Sequence, residues 1–134
     1  MFKMQDTNPY IQQQIIIAVK STYEPDFSKP DLPSFIYSYH ISITNKNHFP
    51  VKLLTREWIV TDSNGEVTVV KGEGVVGLTP IIQTGKNFEY NSNVSLKSGI
   101  GRMRGKYTFM NTETRDLFDV AIPEFALEAQ FVLN

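Results

Sequence analysis

The sequence contains no cysteine, and its longest uninterrupted apolar run has only five residues. Without cysteine, a disulfide framework, a thiol nucleophile and a cysteine-ligated zinc site are all excluded. The apolar run, residues 15–19, is far shorter than the roughly 20 residues that a membrane-spanning helix needs. Residues 1–14 lack the apolar core of a secretion signal. We therefore expect a cytoplasmic protein that does not contact membranes.

The chain also lacks a strong excess of charge of either sign. It has 13 basic and 14 acidic residues, which gives a formal net charge of −1. Non-specific nucleic-acid binding depends on a strongly positive surface, so we expect no nucleic-acid partner. The length of 134 residues is typical of a single domain. Residues 1–14 are expected to be a flexible N-terminal extension or a short edge segment.

Short runs of β-branched and aromatic residues alternate with turn-forming clusters along the whole chain. Residues 35–44 are the clearest case, because Phe35, Tyr37, Tyr39, Ile41 and Ile43 occupy every second position. A period of two is that of a strand with one buried face. About eight such runs predict an all-β fold, an antiparallel sandwich or barrel. The predicted strands are residues 15–23, 35–44, 51–61, 66–71, 88–96, 103–110, 117–122 and 125–133.

Two details of these strands can be predicted from single residues. Leu54, Trp58 and Val60 should share one face of their strand with Arg56, because they are two or four positions apart. Pro123 cannot donate a hydrogen bond to a sheet, so it should lie at a bend or a sheet edge and separate the last two strands.

A glycine-rich stretch at residues 72–77 matches the G-x-G-x-x-G pattern of dinucleotide-binding loops. That pattern binds pyrophosphate only when a helix follows it, and here Pro80 and Gly85 leave no room for one. One interpretation is that the glycines serve backbone shape. The alternative is an anion nest of backbone N–H groups. Its candidate residues are Gly72, Gly74 and Gly77, with Arg102 and Arg104 supplying positive charge.

The sequence offers no constellation for catalysis or metal binding. His40 and His48 have no second histidine or carboxylate at ligand spacing, whereas zinc needs three or four protein ligands. Asp116 and Asp119 are three positions apart, so on a strand they point to opposite faces and cannot work as a carboxylate pair. We therefore expect neither a catalytic residue, nor a bound metal, nor a cofactor, and the chain is not expected to be an enzyme.

Five motifs in order carry a resemblance to the ApaG family. They include residues 51–62, which contain Leu-Leu-Thr-Arg-Glu-Trp, and residues 72–80, which read Gly-Glu-Gly-Val-Val-Gly-Leu-Thr-Pro. Residues 88–90, 103–107 and 118–125 follow in the expected order. The resemblance implies an immunoglobulin-like or fibronectin type III-like sandwich and no settled activity. It also implies a loose association with cobalt and magnesium efflux. Similar domains in F-box proteins and in a polymerase-interacting protein suggest protein binding.

Two functional hypotheses follow. The first is a non-catalytic protein-interaction module in which residues 102–110 or an edge strand pair with another protein, or with a second copy in a homodimer. The second is a small sensor that binds phosphate, pyrophosphate or a dinucleoside polyphosphate at residues 72–77, with help from Arg102 or Arg104.

Overall fold

The computed structural model describes residues 6–29, 31, 32 and 34–129, with side chains from residue 12 onward. Within these residues the chain forms nine strands and one short 3-10 helix at Pro25–Phe27. The strands are β1 (Asp6–Gln12), β2 (Ile15–Tyr23), β3 (Phe35–Asn45), β4 (Val51–Asp62), β5 (Val67–Glu73), β6 (Ile81–Ile82), β7 (Asn87–Leu96), β8 (Ile100–Asn111) and β9 (Leu117–Glu128).

The strands pair in two antiparallel sheets that pack face to face. The first sheet has the order β1-β2-β3-β7, and the second has the order β5-β4-β8-β9, with β6 paired to β4 as well. The predicted antiparallel immunoglobulin-like sandwich is therefore confirmed. No described helix is long and apolar enough to cross a membrane.

Aromatic side chains from both sheets meet in the core. The predicted inner face of β3 is confirmed, since all five of its alternating hydrophobic residues are buried. Tyr39 from this face meets the edge of Trp58 from β4, with ring centroids 5.4 Å apart. Trp58 in turn contacts Phe125 of β9 at 5.9 Å and 86°. Edge-to-face contacts of this kind add to the stability that burial provides.

A β-bulge at Leu54 changes which alternate side chains of β4 point into the core. Leu53 and Thr55 pair with the consecutive residues Phe109 and Thr108, so Leu54 is an extra residue. Leu53 before the bulge and Trp58 after it are consequently both buried, although five positions separate them. The prediction for Leu54 is corrected, because the fully buried position belongs to Leu53 and Leu54 is half-buried.

Pro123 lies inside one continuous strand, β9, instead of separating two. It is accommodated because β9 is the last strand of its sheet and because Pro123 and Glu124 together oppose Arg104. Such a bulge leaves one residue outside the ladder, where a missing N–H group costs little. The expected edge position of Pro123 is confirmed. The predicted last strand ends at Glu128, and residues 130–133 lie outside the described part.

The positions of β5 and β8 change two expectations about function. β5 runs to Glu73, so Gly72 is part of a strand. β8 pairs with β4 on one side and with β9 on the other. The suggestion that residues 102–110 pair with another protein is therefore wrong, because both sides of that strand are occupied. β5, in contrast, ends its sheet.

Candidate functional site

The glycine-rich stretch forms the end of β5 and a tight turn. The amides of Val75 and Leu78 each donate to the carbonyl oxygen of the other residue, at 2.8 Å. Val76 and Gly77 between them both have positive φ, 42° and 80°, as in a type I′ turn. The Val75 side chain is fully buried, so this turn packs against the core through Val75.

A different structural feature explains the glycine at each of the three positions of the stretch. Gly74 combines a φ of 64° with close packing, since a Cβ atom there would lie 2.1 Å from the Leu78 carbonyl oxygen. Gly77 has positive φ and open space around it. A Cβ atom at Gly72 would lie 2.7 Å from Nη1 of Arg56. These constraints support the backbone-shape interpretation of the glycines.

The amides that an anion nest would need already have internal partners. Gly74 donates its N–H to the carbonyl oxygen of Leu54 at 2.7 Å, and the amides of Val75 and Leu78 donate within the turn. A nest works by pointing unpaired N–H groups at an anion. Three N–H groups of this segment are therefore already used for holding its shape.

The structure does not bring Arg102 and Arg104 to the glycines. Both arginines lie on β8, and β4 separates β8 from β5. Across the sheet, Gly72 is opposite Arg56, whereas Arg102 and Arg104 are opposite Thr61 and Ile59. Arg102 also has its own acidic neighbour, Glu124, at 3.7 Å. The five candidate anion-binding residues thus fall into two separate groups, and their shared role stays a prediction.

The lysines beside Gly72 belong to a charged row on the outer face of the second sheet. Glu57 lies 3.7 Å from Lys71 and 3.8 Å from Lys106. Lys106 is also 3.2 Å from Asp119. A hydrogen bond from Thr108 and the nearby Lys106 hold the pKa of Asp119 below its ordinary value. Each lysine of the row therefore has a carboxylate neighbour, which is typical of a solvated sheet face.

Arg56 has a position that sequence reasoning did not connect with the glycines. Arg56 precedes Trp58 by two positions and shares the inward face of β4 with it, where both line one cavity. Its Nη1 donates to the carbonyl oxygens of Gly74 at 2.9 Å and Glu73 at 3.1 Å. Among the described residues, no carboxylate pairs with this guanidinium. Its alternation with Trp58 and Val60 was the one sequence signal for its inward position.

Arg56 lines a cavity of about 190 Å³ between the two sheets, on the side where β5 and β7 end them. Burial raises the pKa values of the Tyr39, Tyr90 and Tyr107 phenols, and the positive charge of Arg56 opposes that rise. The Tyr90 and Tyr107 hydroxyls hydrogen-bond to each other at 2.5 Å. The cavity therefore combines the Arg56 cation and the Tyr39 phenol with mainly apolar walls, whereas Tyr90 and Tyr107 lie outside its lining. Its lining comprises Tyr39, Arg56, Trp58, Val60, Val70, Ser92, Asn93, Val94 and Met103.

Exposed hydrophobic side chains concentrate along β5 and the segment that follows it. Val67, Val69 and Val70 are 60%, 52% and 42% exposed. Of the ten exposed large hydrophobic residues in the described part, six lie between residues 67 and 81. We call this surface the apolar edge. It consists of β5 with Val76, Leu78 and Ile81.

His40 has ordinary polar surroundings. His40 on β3 contacts Glu89 and Asn91 of the neighbouring strand β7, both at 2.9 Å. In the part of the chain with described side chains, no group of three or more histidine, aspartate or glutamate residues is placed to hold a metal ion.

Comparison with known proteins identifies the family. A family model described as the ApaG domain matches residues 25–111, which include Arg56, β5 and the glycine-rich turn. The chain belongs to the ApaG family.

Known family members resemble the chain over almost its whole length. The protein ApaG of Dechloromonas aromatica (strain RCB) is 40% identical over 131 residues, covering 98% of this chain and all of that protein. The ApaG protein of Bdellovibrio bacteriovorus is 42% identical over 118 residues, or 88% of this chain and 92% of its own. A crystal structure described as an ApaA protein from Bordetella pertussis is 36% identical, with a TM-score of 0.83 over 88% of this chain and 95% of its own. The resemblance seen in the sequence is thus confirmed.

Proposed function

We propose that this ApaG-family chain is a non-catalytic protein-interaction module that binds an extended segment of another protein along the apolar edge. The observation that carries the proposal is the exposure of β5, which is one of the two edge strands of the second sheet. An edge strand presents unpaired N–H and C=O groups to solvent. An extended segment can pair with those groups and add a strand to the sheet.

The composition of β5 supports this proposal. Proteins usually protect edge strands with proline, charged side chains or a bulge. β5 has no proline, and its two charged residues, Lys71 and Glu73, lie in its second half, so residues 67–70 carry no charge. Its valines would gain from being covered, because each buried CH₂ group contributes about 0.8 kcal/mol. Under this proposal, the family's association with cobalt and magnesium efflux would act through a partner protein.

The anion-sensor alternative has less support. The amides of the glycine-rich turn hold the turn together, and Arg102 and Arg104 lie beyond β4. Calorimetric titration with pyrophosphate and a dinucleoside polyphosphate tests it directly. Heat that disappears in Gly74→Val and Arg104→Ala would favour the sensor over the interaction module.

Site-specific cross-linking in the native cell tests the interaction module. Val69 is replaced by photoreactive benzoylphenylalanine, and the cross-linked protein is identified by mass spectrometry. We expect one main partner, and we expect the additional substitution Val67→Lys to remove the adduct because a charge then stands on the docking surface. Purified partner should also slow hydrogen exchange of the β5 amides.

Leu117 provides the matched control. It is 61% exposed, against 60% for Val67, but it begins β9 at the other edge of the same sheet. Leu117→Lys should leave the adduct unchanged. Equal loss of the adduct in Val67→Lys and Leu117→Lys, or an adduct that persists in both, would contradict docking at β5.

A further inference from the structure

The guanidinium of Arg56 stands where a side chain of residue 72 would be. A Cβ atom built on Gly72 would lie 2.7 Å from Nη1 of Arg56 and 2.9 Å from its Cζ and Nη2 atoms. The backbone of Arg56 belongs to β4, whereas its guanidinium lies over β5. β5 thus carries, beside its own Lys71, a guanidinium that belongs to the neighbouring strand β4.

A strand docked on β5 would place one of its side chains beside this cation. In an antiparallel pair, directly opposite residues on one face have Cβ atoms about 4.5–5.5 Å apart. The docked residue opposite Gly72 would therefore be a near neighbour of the guanidinium. The docked residue two positions away on the same face would be opposite Val70, which lines the cavity together with Arg56.

The charge of Arg56 is not neutralised by the groups that hold it. Both of its hydrogen bonds within the described residues start at Nη1, and both acceptors are backbone carbonyl oxygens. Half-buried charges are normally paired, because an unpaired charge loses hydration without compensation. A guanidinium matches a carboxylate especially well, since two parallel N–H groups can bind two oxygens.

We propose that Arg56 binds the carboxylate of an aspartate or glutamate that the docked segment carries directly opposite Gly72. This inference rests on the proposed function. It defines the partner segment as an extended strand with an acidic residue opposite Gly72 and an apolar residue opposite Val70. The carbonyl oxygens of Glu73 and Gly74 orient the guanidinium, and the missing side chain at Gly72 leaves the space for it.

A carboxylate probe tests Arg56 without a partner. Wild-type protein is titrated with sodium acetate and, separately, with sodium chloride at matched ionic strength. NMR shifts of the Trp58 indole N–H and of the Glu73 and Gly74 amides are recorded. We expect shifts specific to acetate in the wild type. Arg56→Gln should weaken acetate binding about tenfold, the value of one charge-assisted hydrogen bond. Arg115→Gln, in the exposed turn between β8 and β9, should leave it unchanged.

Gly72→Ala provides a second variant that keeps the charge. Its added methyl group must push the guanidinium aside, so the acetate response should fall although Arg56 is present. Identical shifts in acetate and chloride, or an acetate response that survives in both Arg56→Gln and Gly72→Ala, would overturn the inference. A response to sodium pyrophosphate without any response to acetate would also overturn it, in favour of a phosphate site.

The two proposals fail in different ways. Acetate binding needs no docked strand, so its absence removes the role of Arg56 while the cross-links from position 69 remain. Acetate binding without any cross-link to the apolar edge removes the docking proposal and keeps Arg56 as a carboxylate site.

Discussion

Gly74 and Gly77 look equivalent in the sequence, and both have positive φ, but their surroundings differ. An added Cβ atom at Gly74 would meet the backbone of Leu78, whereas at Gly77 it would have no neighbour within 4 Å. The first glycine is needed for space and for conformation, and the second for conformation alone.

Alanine substitutions should separate these two requirements. Gly77→Ala should lower the free energy of unfolding by about 1–2 kcal/mol, the cost of a left-handed conformation for an L-residue. Gly74→Ala should cost more, about 3 kcal/mol or greater, because a backbone clash is added. Urea unfolding followed by Trp58 fluorescence measures both values. Equal losses would show that the close contact between Gly74 and Leu78 is relieved at little cost.

Val76 marks a limit of prediction from single residues. Type I′ turns favour asparagine or glycine at their first central position, and a β-branched residue with positive φ is a rare exception. Nothing in the Val-Val-Gly-Leu sequence therefore indicated this turn. The burial of Val75 and the mutual bonds of Val75 and Leu78 impose it, and those depend on packing against the rest of the fold.

At the scale of elements, Asp62 joins the end of β4 to the connection between β7 and β8. Its buried carboxylate accepts hydrogen bonds from the Ser98 hydroxyl and from the Lys97 amide. Burial alone would raise the pKa of Asp62. The hydrogen bonds from Ser98, Lys97 and Asn64 outweigh that effect and lower it below the ordinary 3.8.

The lowered pKa of Asp62 predicts sensitivity to acid. A carboxyl group whose pKa is lower in the folded state adds stability that is complete above its unfolded pKa and is lost as pH falls through its folded pKa. We expect the free energy of unfolding to fall as pH drops below 3.8. Asp62→Asn should reduce stability at neutral pH and flatten this acid dependence. Urea unfolding at several pH values measures both effects, and an unchanged acid slope in Asp62→Asn would contradict the assignment.

Most strands and their buried faces were predictable, because alternation reports directly which side of a strand meets the core. The bulges at Leu54 and at Pro123–Glu124 could not be predicted. A bulge is an extra residue relative to the partner strand, so it depends on the pairing register and not on the type of the residue. The neighbourhood of Arg56 and Gly72 depends on the pairing register of β4 and β5 in the same way. Arg102 and Arg104 were grouped with the glycines by charge alone, and strand order separates them.

At the scale of the whole molecule, two tyrosines connect the sheets. Tyr90 on β7 belongs to the first sheet and Tyr107 on β8 to the second, and their hydroxyls share a buried hydrogen bond. Burial raises the pKa values of Tyr90 and Tyr107 far above their ordinary value, so both hydroxyls are neutral. Each satisfies the polar group of the other inside the sandwich.

A double-mutant cycle should show this coupling. Tyr90→Phe leaves the Tyr107 hydroxyl without its partner and should cost about 1–3 kcal/mol of unfolding free energy, and Tyr107→Phe should cost a similar amount. The double variant should lose less than the sum of the two, because no hydroxyl is then left unsatisfied. Chemical unfolding of the three variants provides the values, and strictly additive losses would argue against the bond.

The position of the apolar edge also limits how many partner molecules one copy of the chain can bind. One side of a strand can hydrogen-bond to a single other strand, so partners that use β5 compete for it and cannot assemble on it together. Each copy of the chain would then be monovalent at this surface and form one-to-one complexes. Two copies that paired through their β5 strands would occupy both docking sites, and self-association would then inhibit partner binding more strongly as the protein concentration rises.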